Sequence, residues 1–79
     1  MNTYMILFFT HSGAIKFDKK LKNLGVACTL MPVPRILSSN CGIGGEVKTD
    51  EDVLQYIDSD VEKVFQKIEN DYTLQYAQE

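Results

Sequence analysis

The chain has no tryptophan, one histidine, one arginine, and two each of cysteine and proline among its 79 residues. Each scarcity excludes something. His11, Cys28 and Cys41 are too few nitrogen and sulfur donors for a four-ligand metal site. No apolar run nears the roughly 20 residues that a membrane-spanning helix needs. A formal net charge of −3 argues against a dedicated binder of nucleic acid or of anionic membrane. There is no phosphate-cradling glycine loop and no paired catalytic carboxylates on a recognisable framework, so no cofactor is read here and a stand-alone enzyme is left open but disfavoured. The start, Met1-Asn2-Thr3-Tyr4, has no basic region ahead of its short apolar run, unlike a secretory leader. The expectation is a cytoplasmic protein with reduced thiols, in which two cysteines suggest reactivity or packing more than a staple.

What is present is ordered by period. Seventy-nine residues predict one domain spanning residues 1–79. Tyr4 to Phe9 is apolar without alternation, which fits a buried central strand. Ala14, Phe17, Leu21 and Leu24 recur at helical spacing, with Thr10 or Ser12 as N-cap and Gly25 as terminator. Lys16, Lys19, Lys20 and Lys22 take the other side and read as a solvated face. Val26 to Met31 predicts a second strand, and Gly42 to Lys48 a third, loosened by its glycines. Leu54, Ile57, Val61, Val64 and Ile68 then repeat at 3, 4, 3 and 4, broadened by Val53 and Phe65. That spacing predicts a second helix over 50–69, opened by a Thr49-x-x-Asp52 capping box and kinked or split at Asp58-Ser59-Asp60. Tyr72 to Ala77 predicts a last strand.

The predicted order β-α-β-β-α-β implies an α+β fold, the ferredoxin-like two-layer sandwich with an antiparallel sheet in the order 4-1-3-2. Two consequences follow. The end of strand 1 and the start of strand 3 share one rim, so His11 and Cys41 are expected to be neighbours. One sheet face lacks helices, and strand 1 is apolar on both sides. An exposed stripe of Tyr4, Ile6 and Phe8, or of Met5, Leu7 and Phe9, is therefore expected to carry a homodimer or a partner.

The segment Met31 to Gly42 holds both prolines, the arginine, two hydroxyls and a thiol. Pro32 and Pro34 fix φ and remove donors, which rules out a helix or central strand. Ser38-Ser39-Asn40-Cys41-Gly42 then reads as a polar turn that presents Cys41. A thiol beside Arg35 and inward-pointing amides suits nucleophilic or acceptor chemistry; it also suits a small residue tolerated in a loop. Arg35 is either an anion-binding group or a surface charge. His11 either caps the helix start or exchanges a proton with Cys41. Cys28, mid-strand, reads as a small buried hydrophobe, too far below the rim for a disulfide with Cys41. An RNA-binding reading fails, because strand 3 carries no aromatic for base stacking.

Pro32, Pro34, Arg35, Ser38, Ser39, Cys41 and Gly42 together resemble the Pro-x-Pro-Arg-x-x-Ser-Ser-x-Cys-Gly signature of the selenium/sulfur carrier protein-like family, very small bacterial proteins. The resemblance extends over about residues 4–48. It implies a carrier that holds sulfur or selenium on Cys41 as a persulfide or selenopersulfide, with Arg35, Ser38, Ser39, Gly42 and His11 around the anion. It implies protein partners too: a donor such as a cysteine desulfurase, and an acceptor. The alternative is a non-enzymatic interaction module whose 32–42 loop docks a partner, with Cys41 structural.

Overall fold

In the computed structural model, which describes residues 1–37 and 41–78, the first apolar run does lie at the centre. Strand β1 (Asn2–Phe8) sits third in a five-stranded antiparallel sheet, between β3 (Ile43–Thr49) and β4 (Val61–Ile68). β2 (Ala27–Pro32) forms one edge beside β3, and β5 (Asp71–Ala77) the other beside β4. One α-helix, α1 (His11–Asn23), covers one face.

The termini of α1 follow from local chemistry. Thr10 is the N-cap, its hydroxyl accepting from the Gly13 amide at 3.0 Å. At the other end Gly25 takes φ 75°, its amide bonds Lys22, and the Val26 amide reaches back to Leu21. This pair of bonds is the Schellman arrangement. Ala14, Phe17 and Leu21 are buried as the spacing predicts, but Leu24 is the C-cap and stands exposed. The Phe17 ring meets Phe8 at 5.3 Å between centroids, joining helix to central strand in a tilted aromatic pair.

The predicted second helix is not there. In its place stand a short 3₁₀ turn (Val53–Tyr56) and then β4, so the sheet gains a strand and the four-stranded order 4-1-3-2 gives way to β2-β3-β1-β4-β5. The strand predicted over Tyr72 to Ala77 forms as β5, paired to β4 and not to β1. The helical spacing has a specific origin. Leu7 faces Lys63 while Phe8 faces Val61, so Glu62 is an extra residue, a β-bulge. The bulge lets Val61 and Val64, three residues apart, both turn to the helix-covered face, where both are fully buried. A bulged strand thus reproduces one step of a helical stripe. Upstream, Asp58 accepts from the Asp60 amide at 2.9 Å and ends any helix there. The cap of the 3₁₀ turn is Asp52, which accepts from Leu54, whereas Thr49 accepts from Glu51.

Lys20, expected in the solvated face, instead ties α1 to this connector. Its ammonium donates to the Tyr56 carbonyl and to Asp58 Oδ2, each at 2.7 Å, and lies over the Phe17 ring. Gly13 lets the connector come close, since a Cβ there would sit 2.8 Å from Asp60 Cβ.

Tyr4, Ile6, Phe8, Cys28, Val47, Val61 and Val64 form the core under α1. On the other face Met5 and Leu7 are buried as well, at 2% and 0% exposure. Met5 lies across Gly44, where a Cβ would come within 2.7 Å of its sulfur, and pairs with Phe65 on β4. The apolar stripe expected to carry a homodimer through the open face is therefore closed within one chain, leaving Leu74 exposed on that side. Among the described residues no helix is long and apolar enough to cross a membrane.

Candidate functional site

The proline-rich segment is the hairpin loop between β2 and β3. Its base is closed by the Val33 amide donating to the Gly42 carbonyl at 3.1 Å. Pro32 ends β2 opposite Ile43, on an edge strand, where proline is tolerated. Pro34 and Leu37 bracket a β-turn, the Leu37 amide bonding the Pro34 carbonyl at 3.0 Å. Arg35 and Ile36 occupy its two central positions and are both exposed, Ile36 to 70%. Ser38 and Ser39 lie outside the described residues.

Cys41 emerges at the far end of the loop, half-buried against the core. Gly42 follows at φ 73°, a conformation that strains any side chain. The predicted meeting of His11 and Cys41 takes place, but not at sulfur. His11 Nε2 lies 2.7 Å from the Cys41 carbonyl oxygen; a carbonyl only accepts, so Nε2 carries the proton. The thiol itself donates to the Ile43 carbonyl at 3.2 Å. His11 thus neither caps the helix start, a task Thr10 performs, nor bonds the thiol in this arrangement. It holds the peptide that carries it. Arg35 makes no ion pair among the described residues.

The other thiol is of a different kind. Cys28 is 7% exposed, and its pKa is pushed up to about 12, first by burial and then by the charge and hydrogen bond of Asp18. Asp18 in turn binds Lys22 at 2.8 Å, one helical turn on, and this raises the Lys22 pKa. Cys28 is the small buried residue expected, held protonated across the physiological range. Neither cysteine is in a disulfide. Sequence reasoning missed two groups here: the Ile43 carbonyl, which nothing in the sequence marks, and Asp18, whose i,i+4 spacing to Lys22 was the available signal.

The chain thus holds one thiol buried in the core and one half-buried at a rim, on a loop with an exposed cation. Residues 3–73 match the family described as "Putative Se/S carrier protein-like". The chain belongs to this family. The match runs past the loop through β4 and into β5, well beyond the stretch whose motif carries the resemblance. No curated protein and no solved structure matches it. In this Se/S carrier-like chain the described residues hold no cluster of three or more His, Cys, Asp or Glu side chains placed to bind a metal.

Proposed function

We propose that the protein carries sulfur or selenium between proteins as a persulfide or selenopersulfide on Cys41. The observation that carries the reading is the contrast between the two thiols within a Se/S carrier-like chain. Cys41 is at the rim on a loop, whereas Cys28 is buried and held as a thiol. In the loading step the Cys41 thiolate attacks the terminal sulfur of a donor persulfide, R–S–SH. A bond forms between Sγ and that sulfur, the donor's S–S bond breaks, and the donor leaves as a thiolate. No external oxidant or reductant is consumed. A thiolate or other nucleophile of the acceptor protein then takes the terminal atom in the same way. Reaction at Sγ requires the thiol to give up its bond to Ile43. Arg35, Ser38, Ser39 and the Gly42 amide are the groups we assign to the anion, and His11 to holding the Cys41 peptide. A donor such as a cysteine desulfurase fits this chemistry, and so does a cytoplasmic setting.

The test is intact-mass spectrometry after incubation with a cysteine desulfurase and cysteine. A gain of one sulfur atom, removed by reductant and absent from Cys41→Ala, is expected. No gain, or a gain that persists in Cys41→Ala, refutes the reading.

A second reading rests on the same loop. Ile36 is 70% exposed beside Arg35, and the Cys41 thiol bonds Ile43 while packing on the core. These suit a docking loop in which Cys41 is structural. Alkylation of Cys41 no faster than that of free cysteine at neutral pH favours this alternative.

A further inference from the structure

The ladder between β2 and β3 tells which backbone groups of β2 are spent. Val33 and Gly42 form a hydrogen-bonded pair, and the register continues from them through Pro32 opposite Ile43 to Ala27 opposite Lys48. Hydrogen-bonded and open pairs alternate in an antiparallel ladder. Ala27, Thr29 and Met31 therefore bond inward, while Cys28, Leu30 and Pro32 turn their backbone groups outward. Pro32 has no N–H. The outer edge of β2 thus offers two donors, Cys28 and Leu30, and three carbonyls. From Gly25 to Pro34 the chain carries no charge, so the lysines that usually guard an edge are missing. The opposite edge is guarded: β5 has an extra residue, Gln75, where Val64 faces Tyr76 but Phe65 faces Leu74, and it begins at Asp71.

We infer that β2 pairs with the β2 strand of a second copy, antiparallel about a two-fold axis through Leu30, joining two five-stranded sheets. A two-fold centred on one residue keeps like faces opposite one another. Cys28 then faces Pro32 on the helix-covered side, and Thr29 faces Met31 on the other. Each Leu30 amide reaches the Leu30 carbonyl across the axis, and each Cys28 amide reaches the carbonyl of the opposite Pro32. Every outward donor of both edges is used, and the missing proline N–H falls where none is needed.

The ends of the strands match by charge and by shape. The antiparallel arrangement brings the turn carrying Arg35 and Ile36 of one copy to the far end of β2 in the other. There Leu24, Gly25 and Val26 line a hollow of about 320 Å³ together with Lys48, Asp50 and Glu51. Asp50 is paired with the Met1 ammonium at 3.1 Å, whereas among the described residues Glu51 accepts only from the uncharged Gln55 and Tyr56. Ile36 and Leu24 are exposed to 70% and 58% and cover one another. Arg35, unpaired among the described residues, meets Glu51, which has no cationic partner among them, and the two-fold repeats the match. The loop that bears Cys41 is then braced by the second copy. The pairing rests on the edge and its ends, and stands whether or not Cys41 carries sulfur.

Sedimentation together with hydrogen–deuterium exchange over a range of concentrations tests this. A particle of twice the monomer mass is expected, with exchange at the Cys28 and Leu30 amides slowed about tenfold or more as it forms. Arg35→Glu is expected to weaken the dimer about tenfold, and Arg35→Glu with Glu51→Lys to recover it. Neither change touches the β2 edge or the core, so both variants fold. A monomer at every concentration overturns the inference, as does a dimer in which those two amides exchange freely. A dimer indifferent to Arg35→Glu overturns the assignment of the ends.

Discussion

His11 holds the carbonyl of Cys41 at 2.7 Å across 30 residues of sequence. The bond pins the end of β1 and the start of α1 to the start of β3 through a peptide group, with the Cys41 sulfur one side chain away. The geometry separates two jobs that a Cys–His pair usually combines: the histidine fixes where the thiol stands and leaves its proton to Ile43.

That separation predicts the behaviour of His11 variants. An exposed bond of this kind contributes about 1 kcal/mol, so His11→Ala should lower stability by about that much. It should also free the thiol, speeding alkylation of Cys41 about threefold. His11→Gln keeps a donor and should restore most of both. Equal alkylation rates in the wild type and His11→Ala would mean that the bond does not hold the thiol.

Cys28 predicts a pH dependence. Its pKa is raised from the ordinary thiol range, about 9, to about 12, so between these values the folded chain keeps a proton that the unfolded chain has lost. The contribution is complete below about pH 9 and is lost as pH rises toward 12, with a limiting slope of about 1.4 kcal/mol per pH unit. Cys28→Ala should remove that slope while costing about 1–2 kcal/mol at neutral pH for the lost packing. Urea unfolding at a series of pH values reads both, and parallel alkaline limbs in the two proteins would contradict the assignment.

The adjacent glycines of β3 should respond differently to alanine. A Cβ on Gly44 would stand 2.7 Å from Met5 Sδ and 3.2 Å from the Ile6 carbonyl oxygen, an overpacking that costs about 1–3 kcal/mol. On Gly45 the nearest atoms are the Cys28 sulfur and the Phe8 ring at 3.5 Å, ordinary contact. Gly45→Ala should be neutral or stabilising by up to about 1 kcal/mol, through reduced freedom of the unfolded chain. Thermal melts that rank the two the other way would show that Met5 does not lie over β3 as described.

Glu69 opens the two-residue turn between β4 and β5 at φ 57°, which costs an ordinary L-residue about 1–2 kcal/mol. Glu69→Gly should therefore raise the melting temperature by a few degrees. A drop would show that the Glu69 side chain stabilises the turn by more than its backbone costs.

Legibility followed the kind of signal. β1, α1, β2 and β3 were readable because each has a single period and clear punctuation: an unbroken apolar run, a helical stripe ended by Gly25, a proline stop. The His11–Cys41 meeting followed from placing strand 3 beside strand 1, the part of the ferredoxin-like order that the observed sheet keeps. The C-terminal half misled because the bulge at Glu62 shifts a strand's alternation by one residue, and Val61 and Val64 then imitate a helical face. Only the facing strand reveals the insertion. The burial of Met5 was likewise invisible, since its side chain lies across Gly44 of β3, a neighbour that only the sheet order reveals. At the loop, Cys41 and Arg35 stood out by residue type, but the Cys41 thiol bonds a backbone carbonyl, that of Ile43, which carries no letter in the sequence.

The central position of β1 has a consequence for synthesis. It is made before the other four strands of the sheet and needs the most distant partners, for Ile6 pairs with Gly45 on one side and Val64 on the other. Translation proceeds at about 5–20 residues per second, so the run Met5 to Phe9 waits some seconds before β4 exists to cover it. β2, β3 and α1 can assemble around β1 in the interval, but its second edge stays open until the final hairpin arrives. Premature termination or slow translation beyond Thr49 would leave the most apolar strand of the protein with a bare side, the state in which this chain is most prone to aggregate.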